Sequence, residues 1–261
     1  MISVRKTALL EERIDMNTNT EIENIVSWIR EWFNENGPSA SAVIGLSGGK
    51  DSSIVAALLV KALGKDRVTG VMMPNGVQKD ISDSQKIAEF LGIKTYTVNI
   101  AAIYDAAIST LEESTDDISL STDTKINLAP RIRMSVLYAI AQSLPKGGRV
   151  TNTCNASEDY IGYSTKYGDA AGDFSPCADF TVSEMLEIGD ALGLPSDLVH
   201  KTPSDGLSGQ TDEEKIGFSY DTLDHYIKTG ECEDDEIKKK IDRLHALNLH
   251  KLKTIPTYRR A

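Results

Sequence analysis

Cysteine is scarce in this chain. Cys154, Cys177 and Cys232 are the only three in 261 residues, and they lie far apart with no CxxC pair. That spacing gives neither a zinc site nor a disulfide framework, so structural thiols in a reducing compartment are predicted. No apolar run is long enough to cross a bilayer. The opening residues, MISVRKTALLEERIDMN, put acidic side chains where a signal peptide needs an apolar core, which predicts a cytoplasmic protein with no membrane partner. Positive charge is short as well: 28 Lys and Arg against 39 Asp and Glu leave a net charge of −11. Such a chain lacks the basic footprint of a non-specific nucleic-acid binder. Anionic small ligands remain open to it, held by a few local cations and by backbone N–H groups against the overall field.

What is present is ordinary globular composition, 40% hydrophobic and 26% charged. The length suits one large α/β domain over residues 1–261. Thr20-Glu21-Ile22-Glu23 has the form of a capping box, and apolar residues at Ile22, Ile25, Val26, Ile29, Trp32 and Phe33 follow at helical spacing as far as Asn36-Gly37-Pro38. Ala42–Leu46 reads as a buried strand. A helix is predicted from Ser52 to Gly64, a strand over Val68–Met73, a helix over Asp80–Leu91 and a strand over Thr95–Ile100. This alternation predicts a doubly wound, mostly parallel sheet with helices on both faces. Polar stretches near residues 114–125 and 201–217 read as loops. Between them a helix is predicted over Leu128–Ser143, with Pro130 tolerable only in a first turn. A strand follows over Arg149–Thr153, then a second capping box at Thr181–Glu184 opening a helix that Gly193 ends. A charged helix over Glu233–Leu249 precedes a basic tail.

The sharpest motif is Gly45-Leu46-Ser47-Gly48-Gly49-Lys50-Asp51-Ser52, set between a strand and a helix. Glycines let such a loop turn its N–H groups into one concavity, and the helix adds the positive end of its dipole. The pattern suits phosphate. It is not a P-loop, which needs four residues between its glycines, one more than separate Gly45 from Gly49, and Ser or Thr after the Lys, where Asp51 stands.

SGGKDS resembles the signature of the ATP pyrophosphatase superfamily, whose members activate a carboxylate or carbonyl oxygen as an adenylate. Further segments resemble the NAD synthetases that use ammonia. They are MPNGVQKD at 73–80, NLAPRIRM at 127–134 (Pro130-Arg131 standing where the family usually has Ala-Arg), TCNASE at 153–158, GYSTKYGD at 162–169 running on to Gly172-Asp173, PSDGL at 203–207 with QTDEE at 210–214, and His250-Lys251. The resemblance runs from about residue 20 to the C-terminus. It implies a Rossmann-like fold of the ATP pyrophosphatase type and ATP-dependent amidation of deamido-NAD, with magnesium as cofactor and a homodimer as the working unit. By position it implies the 45–52 loop, Thr153 and Ser204 for ATP, and Asp51 and Glu158 for the metal. Arg131, Lys166, Asp173, His250 and Lys251 would contact deamido-NAD.

Within that scheme Lys50 would stabilise the leaving pyrophosphate. Asp173, if buried near the acyl group, would take the proton from ammonium. The two polar loops would close over the anhydride. No segment corresponds to a glutamine amidase, which points to free ammonia or to ammonia from a partner protein. Two positions depart from the family pattern: Val182 stands where an ATP-site lysine is expected, and Asn152 where glycine is usual, the second mattering less. The valine leaves two other readings open, a non-catalytic nucleotide-binding protein of the same fold and an adenylating ligase for another carboxylate. An interface could come from the Trp28, Trp32 and Phe33 stripe or from the 128–143 helix.

Overall fold

The computed structural model describes residues 17–77, 81–115, 117–201 and 211–260. In chain order the elements are α1 (Thr18–Asn36), β1 (Ser41–Gly45), α2 (Lys50–Leu63), β2 (Val68–Met72), α3 (Ile81–Leu91), β3 (Lys94–Thr97), α4 (Ala101–Ser114), α5 (Thr122–Ser143) and β4 (Gly148–Val150). Then come α6 (Ala156–Ile161), α7 (Val182–Ala191), α8 (Ser196–Val199), α9 (Asp212–Ile216), α10 (Tyr220–Thr229) and α11 (Asp235–Leu252).

The four strands are all parallel, in the order β3-β2-β1-β4. Successive side chains of a strand face opposite ways, and here both faces are covered. Ala42 and Ile44 of β1 join a core with Val26, Ile29 and Phe33 of α1, Ile54 and Leu58 of α2, and Met185 and Ile188 of α7. Val43, between them, joins Val71, Val150, Ile100 and, from α5, Ile132 and Ala141. This is the doubly wound sheet that the alternation predicts. A third cluster lies in the C-terminal helices, with Ile161, Val182, Ile216, Phe218, Tyr220, Leu223 and Ile241. Among the described residues no helix is long and apolar enough to cross a membrane. The three cysteines are free thiols, and burial raises the pKa of Cys154 and Cys177, keeping both protonated.

Several boundaries differ from the sequence expectation. The Thr20 box is not the start of α1: Asn17 caps it by accepting from Thr20 N at 3.1 Å, one turn earlier. The Thr181–Glu184 box is present, with Thr181 N donating to Glu184 Oε2 at 2.8 Å. The 114–125 loop is cut short, because Ser121 caps α5 through Thr124 N at 3.1 Å. Pro130 therefore lies in the interior of α5, not in its first turn. Its ring packs so closely on Gly168 that a Cβ there would come within 2.8 Å. Residues 212–216 of the second polar stretch form α9, opened by a capping box at Thr211 and Glu214. Residues 202–210 lie outside the described residues. The third strand ends at Thr97 rather than Ile100, and the fourth at Val150. The Trp32 ring stacks on Phe174 at 4.5 Å and Phe33 is 1% exposed, so most of that stripe is core rather than interface.

Candidate active site

A parallel sheet wound in two directions opens a crevice at the carboxyl ends of the strands where the order reverses. Here that point lies between β1 and β4. The 45–52 motif leaves β1 on one side, and Thr153-Cys154-Asn155 leaves β4 on the other.

The loop is held by its own side chains. Ser47 Oγ accepts from Gly49 N at 3.2 Å, Ser52 Oγ accepts from Ser47 N at 3.3 Å, and Ser53 Oγ donates to Gly49 O at 2.8 Å. Gly48 turns the chain with φ of 81°, a left-handed conformation that a side chain would strain. The helix starts at Lys50, two residues before its predicted start, and its N-cap is Gly49, which has no side chain to offer. The first N–H groups of α2 therefore face the crevice without a capping oxygen.

Asp51 and Glu158 are joined through a residue that sequence reasoning gave no role. Asn155 is fully buried and caps α6, accepting from Glu158 N at 3.0 Å, while its Nδ2 donates to Asp51 Oδ1 at 3.1 Å. The signal was present as an Asn-x-x-Glu cap. Lys50, 5% exposed, donates to Asp51 Oδ2 at 2.8 Å. Burial alone would lower its pKa, but Asp51, Glu158 and Asp212 outweigh burial and raise it, so Lys50 is a cation. Burial and then the Asp51 carboxylate push the Glu158 carboxyl up to about 8, against the pull of Lys50. Below Glu158, buried Asp224 of α10 accepts from Ser157 of α6 and from Ser183 N of α7, fixing three helices together. Val182 is buried in the C-terminal apolar cluster.

A second feature adjoins the first. Arg131 and Asn127 of α5, Ser164 to Tyr167, and His250 and Lys251 of α11 line a cavity of about 320 Å³. Four of the predicted substrate residues, Arg131, Lys166, His250 and Lys251, thus meet in one place. Lys166 Nζ donates to His250 O at 2.9 Å, and Lys251 Nζ donates to Gly162 O at 2.8 Å and Ser164 O at 3.0 Å. Arg131 Nε donates to Lys166 O at 3.3 Å. Burial lowers the Lys251 pKa, with Asp169 opposing. Tyr167 takes a left-handed φ of 61°, uncommon for a residue with a side chain. The Oγ of Ser164 is buried with no partner among the described residues.

Asn152 connects the two features. Its Nδ2 donates to Asp169 O at 2.9 Å, and its Oδ1 accepts from Cys154 N at 2.9 Å and Ser175 Oγ at 2.8 Å. A Cβ on Gly172 would meet Asn152 N at 2.7 Å, so only glycine fits against this junction. The departure that sequence reading weighed lightly is a structural hub. Asp173 stands apart from both features. It is exposed at the edge of β4, where its carboxylate accepts from Val150 N at 2.7 Å and from Tyr138 OH at 3.2 Å. The burial on which its role as a base was conditioned is not met within the single chain. Ser204 lies outside the described residues.

The sequence model of the NAD synthase family matches residues 21–261. The chain belongs to this family. The NH(3)-dependent NAD(+) synthetase of Pyrococcus furiosus is 42% identical over 206 residues, covering 78% of this chain and 77% of that one. Among solved structures of the NAD synthase fold, an NMN synthetase from Francisella tularensis superposes with a TM-score of 0.84 at 33% identity, over 94% of this chain and 99% of the other. An NH3-dependent NAD synthetase from Campylobacter jejuni gives 0.75 at 27% identity, over 94% and 100%.

Proposed function

We propose that the chain is an ammonia-dependent NAD synthetase, a carbon–nitrogen ligase that turns the carboxylate of deamido-NAD into the carboxamide of NAD at the expense of ATP. The observation that carries this reading is the adjacency of the uncapped phosphate loop with its Asp51–Asn155–Glu158 group to a cavity lined by Arg131, Lys166 and Lys251. The first suits a triphosphate. The second suits the diphosphate and carboxylate of a dinucleotide.

In the reaction the nicotinate carboxylate attacks the α-phosphorus of ATP, forming an acyl-adenylate and releasing pyrophosphate. Ammonia then attacks the acyl carbon and AMP departs. The N–H groups at the start of α2 and the buried Lys50 ammonium would receive the charge that gathers on the pyrophosphate. Asp51 and Glu158 fit magnesium: they are hard oxygen donors, and Glu158 gains proton affinity from its neighbour, a penalty that a cation would relieve. When bound it would neutralise charge on the phosphates. Asp173, exposed in one chain, would accept the ammonium proton where a second subunit covers it. A homodimer through the α4–α5 side, where Ile103, Ile118 and Ile126 are exposed, would supply that cover. The whole chain, 1–261, would act as one unit in the cytoplasm.

The test is NAD formation from deamido-NAD and Mg-ATP, with ammonium in one reaction and glutamine in another. NAD with ammonium alone is the expected result; no NAD in either, with ATP still bound, sinks the proposal. The likeness to an NMN synthetase favours a second reading at the same site, amidation of nicotinate mononucleotide. A higher kcat/KM for the mononucleotide than for deamido-NAD would decide for it.

A further inference from the structure

One buried hydroxyl beside the 45–52 loop has no hydrogen-bond partner among the described residues. Tyr220 opens α10, its N–H donating to Glu213 Oε1 at 2.8 Å, and the residue is 4% exposed. Its ring sits among Val182, Phe218 and Leu223. The hydroxyl has no hydrogen-bond partner among the described residues. The acidic groups that act on it lie around the 45–52 loop, Glu158, Asp212 and Asp51, and the Lys50 ammonium stands 5.8 Å from the ring centroid.

Protein interiors rarely leave a hydroxyl in this condition, since phenylalanine would fill the same space without the desolvation cost. Two neighbouring carboxylates already accept bonds from other donors. Asp51 has Lys50 and Asn155, and Asp212 Oδ1 accepts from Tyr163 OH at 3.1 Å. No oxygen of the described residues, Glu158 included, is hydrogen-bonded to this hydroxyl, which leaves it free to take an acceptor from a ligand. A phenol is neutral near pH 7 and donates one hydrogen, so it can meet an anionic oxygen where a further carboxylate would be repelled. The resemblance expects a lysine at 182, and the valine found there packs in the same cluster as this ring.

We propose that Tyr220 is a nucleotide-binding residue, its hydroxyl held ready to donate to a phosphate oxygen of ATP and of the pyrophosphate it releases. This rests on the synthetase reading above. It assigns to a neutral donor on α10 part of the grip on phosphate that the resemblance gives to a lysine at 182.

The experiment is titration of magnesium pyrophosphate, followed by calorimetry, into the wild-type chain and into Tyr220→Phe, with the melting temperature of each ligand-free protein measured alongside. Tyr220→Phe should weaken pyrophosphate binding about tenfold or more, as loss of a hydrogen bond to a charged group does. Its ligand-free melting temperature should equal or exceed that of the wild type, because an unpaired hydroxyl has been removed. Equal affinity in the two proteins overturns the proposal. A lower ligand-free melting temperature also overturns it, since the hydroxyl would then have a structural partner. If the wild type binds neither magnesium pyrophosphate nor Mg-ATP, the synthetase reading falls and this proposal with it, a result visible before any variant is made.

Discussion

At the carboxyl ends of β1 and β4 the polar side chains bond largely to one another and to helix starts. In the basic cavity the cations bond to backbone carbonyls. Asp51, Asn155, Lys50 and Glu158 are members of one connected group, so removing any one exposes the rest. Lys166, Arg131 and Lys251 each hold a carbonyl separately. The first region is built before its ligand arrives. The second presents charge on side chains that can exchange a carbonyl for an anion. Chemistry that develops charge at a fixed atom needs the first kind of site, and recognition of a long substrate is served by the second.

The contrast breaks most visibly at Asp51. Asp51→Asn should lower kcat for NAD formation about a thousandfold or more while leaving deamido-NAD binding within a few-fold, because phosphate charge loses its counter-ion; steady-state kinetics with a parallel binding titration would check it. Lys166→Ala and Arg131→Ala should do the reverse, raising KM for deamido-NAD about ten- to a hundredfold with KM for ATP little changed. If either raised the KM for ATP equally, the two regions would have to be treated as one. Asn152→Ala, at the junction, should cost about 2 kcal/mol of stability through the buried groups it leaves unpaired, read by denaturant unfolding. Val182→Ala should have the smallest effect, about 1 kcal/mol of stability with unchanged KM for ATP. A marked rise in that KM would mean that the side chain at 182 reaches the nucleotide.

The centre of the fold was open to sequence reading because strand, glycine loop, acid and helix follow one another without interruption over residues 42–63. The rest of the chain was harder. The helix α4 was missed: none of its residues is buried, and its start signal is indirect, Asn99 Oδ1 accepting from Ala101 N at 3.0 Å across the cap residue Ile100. Pro130 pointed to a helix start, but packing against Gly168 outweighs the hydrogen bond it removes. The residues expected to contact substrate could be grouped only by resemblance, since Arg131, Lys166 and Lys251 come from segments with no local pattern in common. Asn155 was missed for another reason. Its link to Asp51 joins segments 104 residues apart, and no single window of sequence contains both partners.

The strand order also governs when the site can come into existence. β1 meets β2 across a short helical crossover, but Ser41 meets Gly148 only after roughly a hundred intervening residues have been gathered in. Pairings so distant along the chain are closed late and slowly. Because the crevice lies on that seam, a folding chain has no such crevice until its most distant strand pairing is made. A ligand that binds there then tightens the joint most in need of it, so nucleotide should slow unfolding by more than it speeds folding.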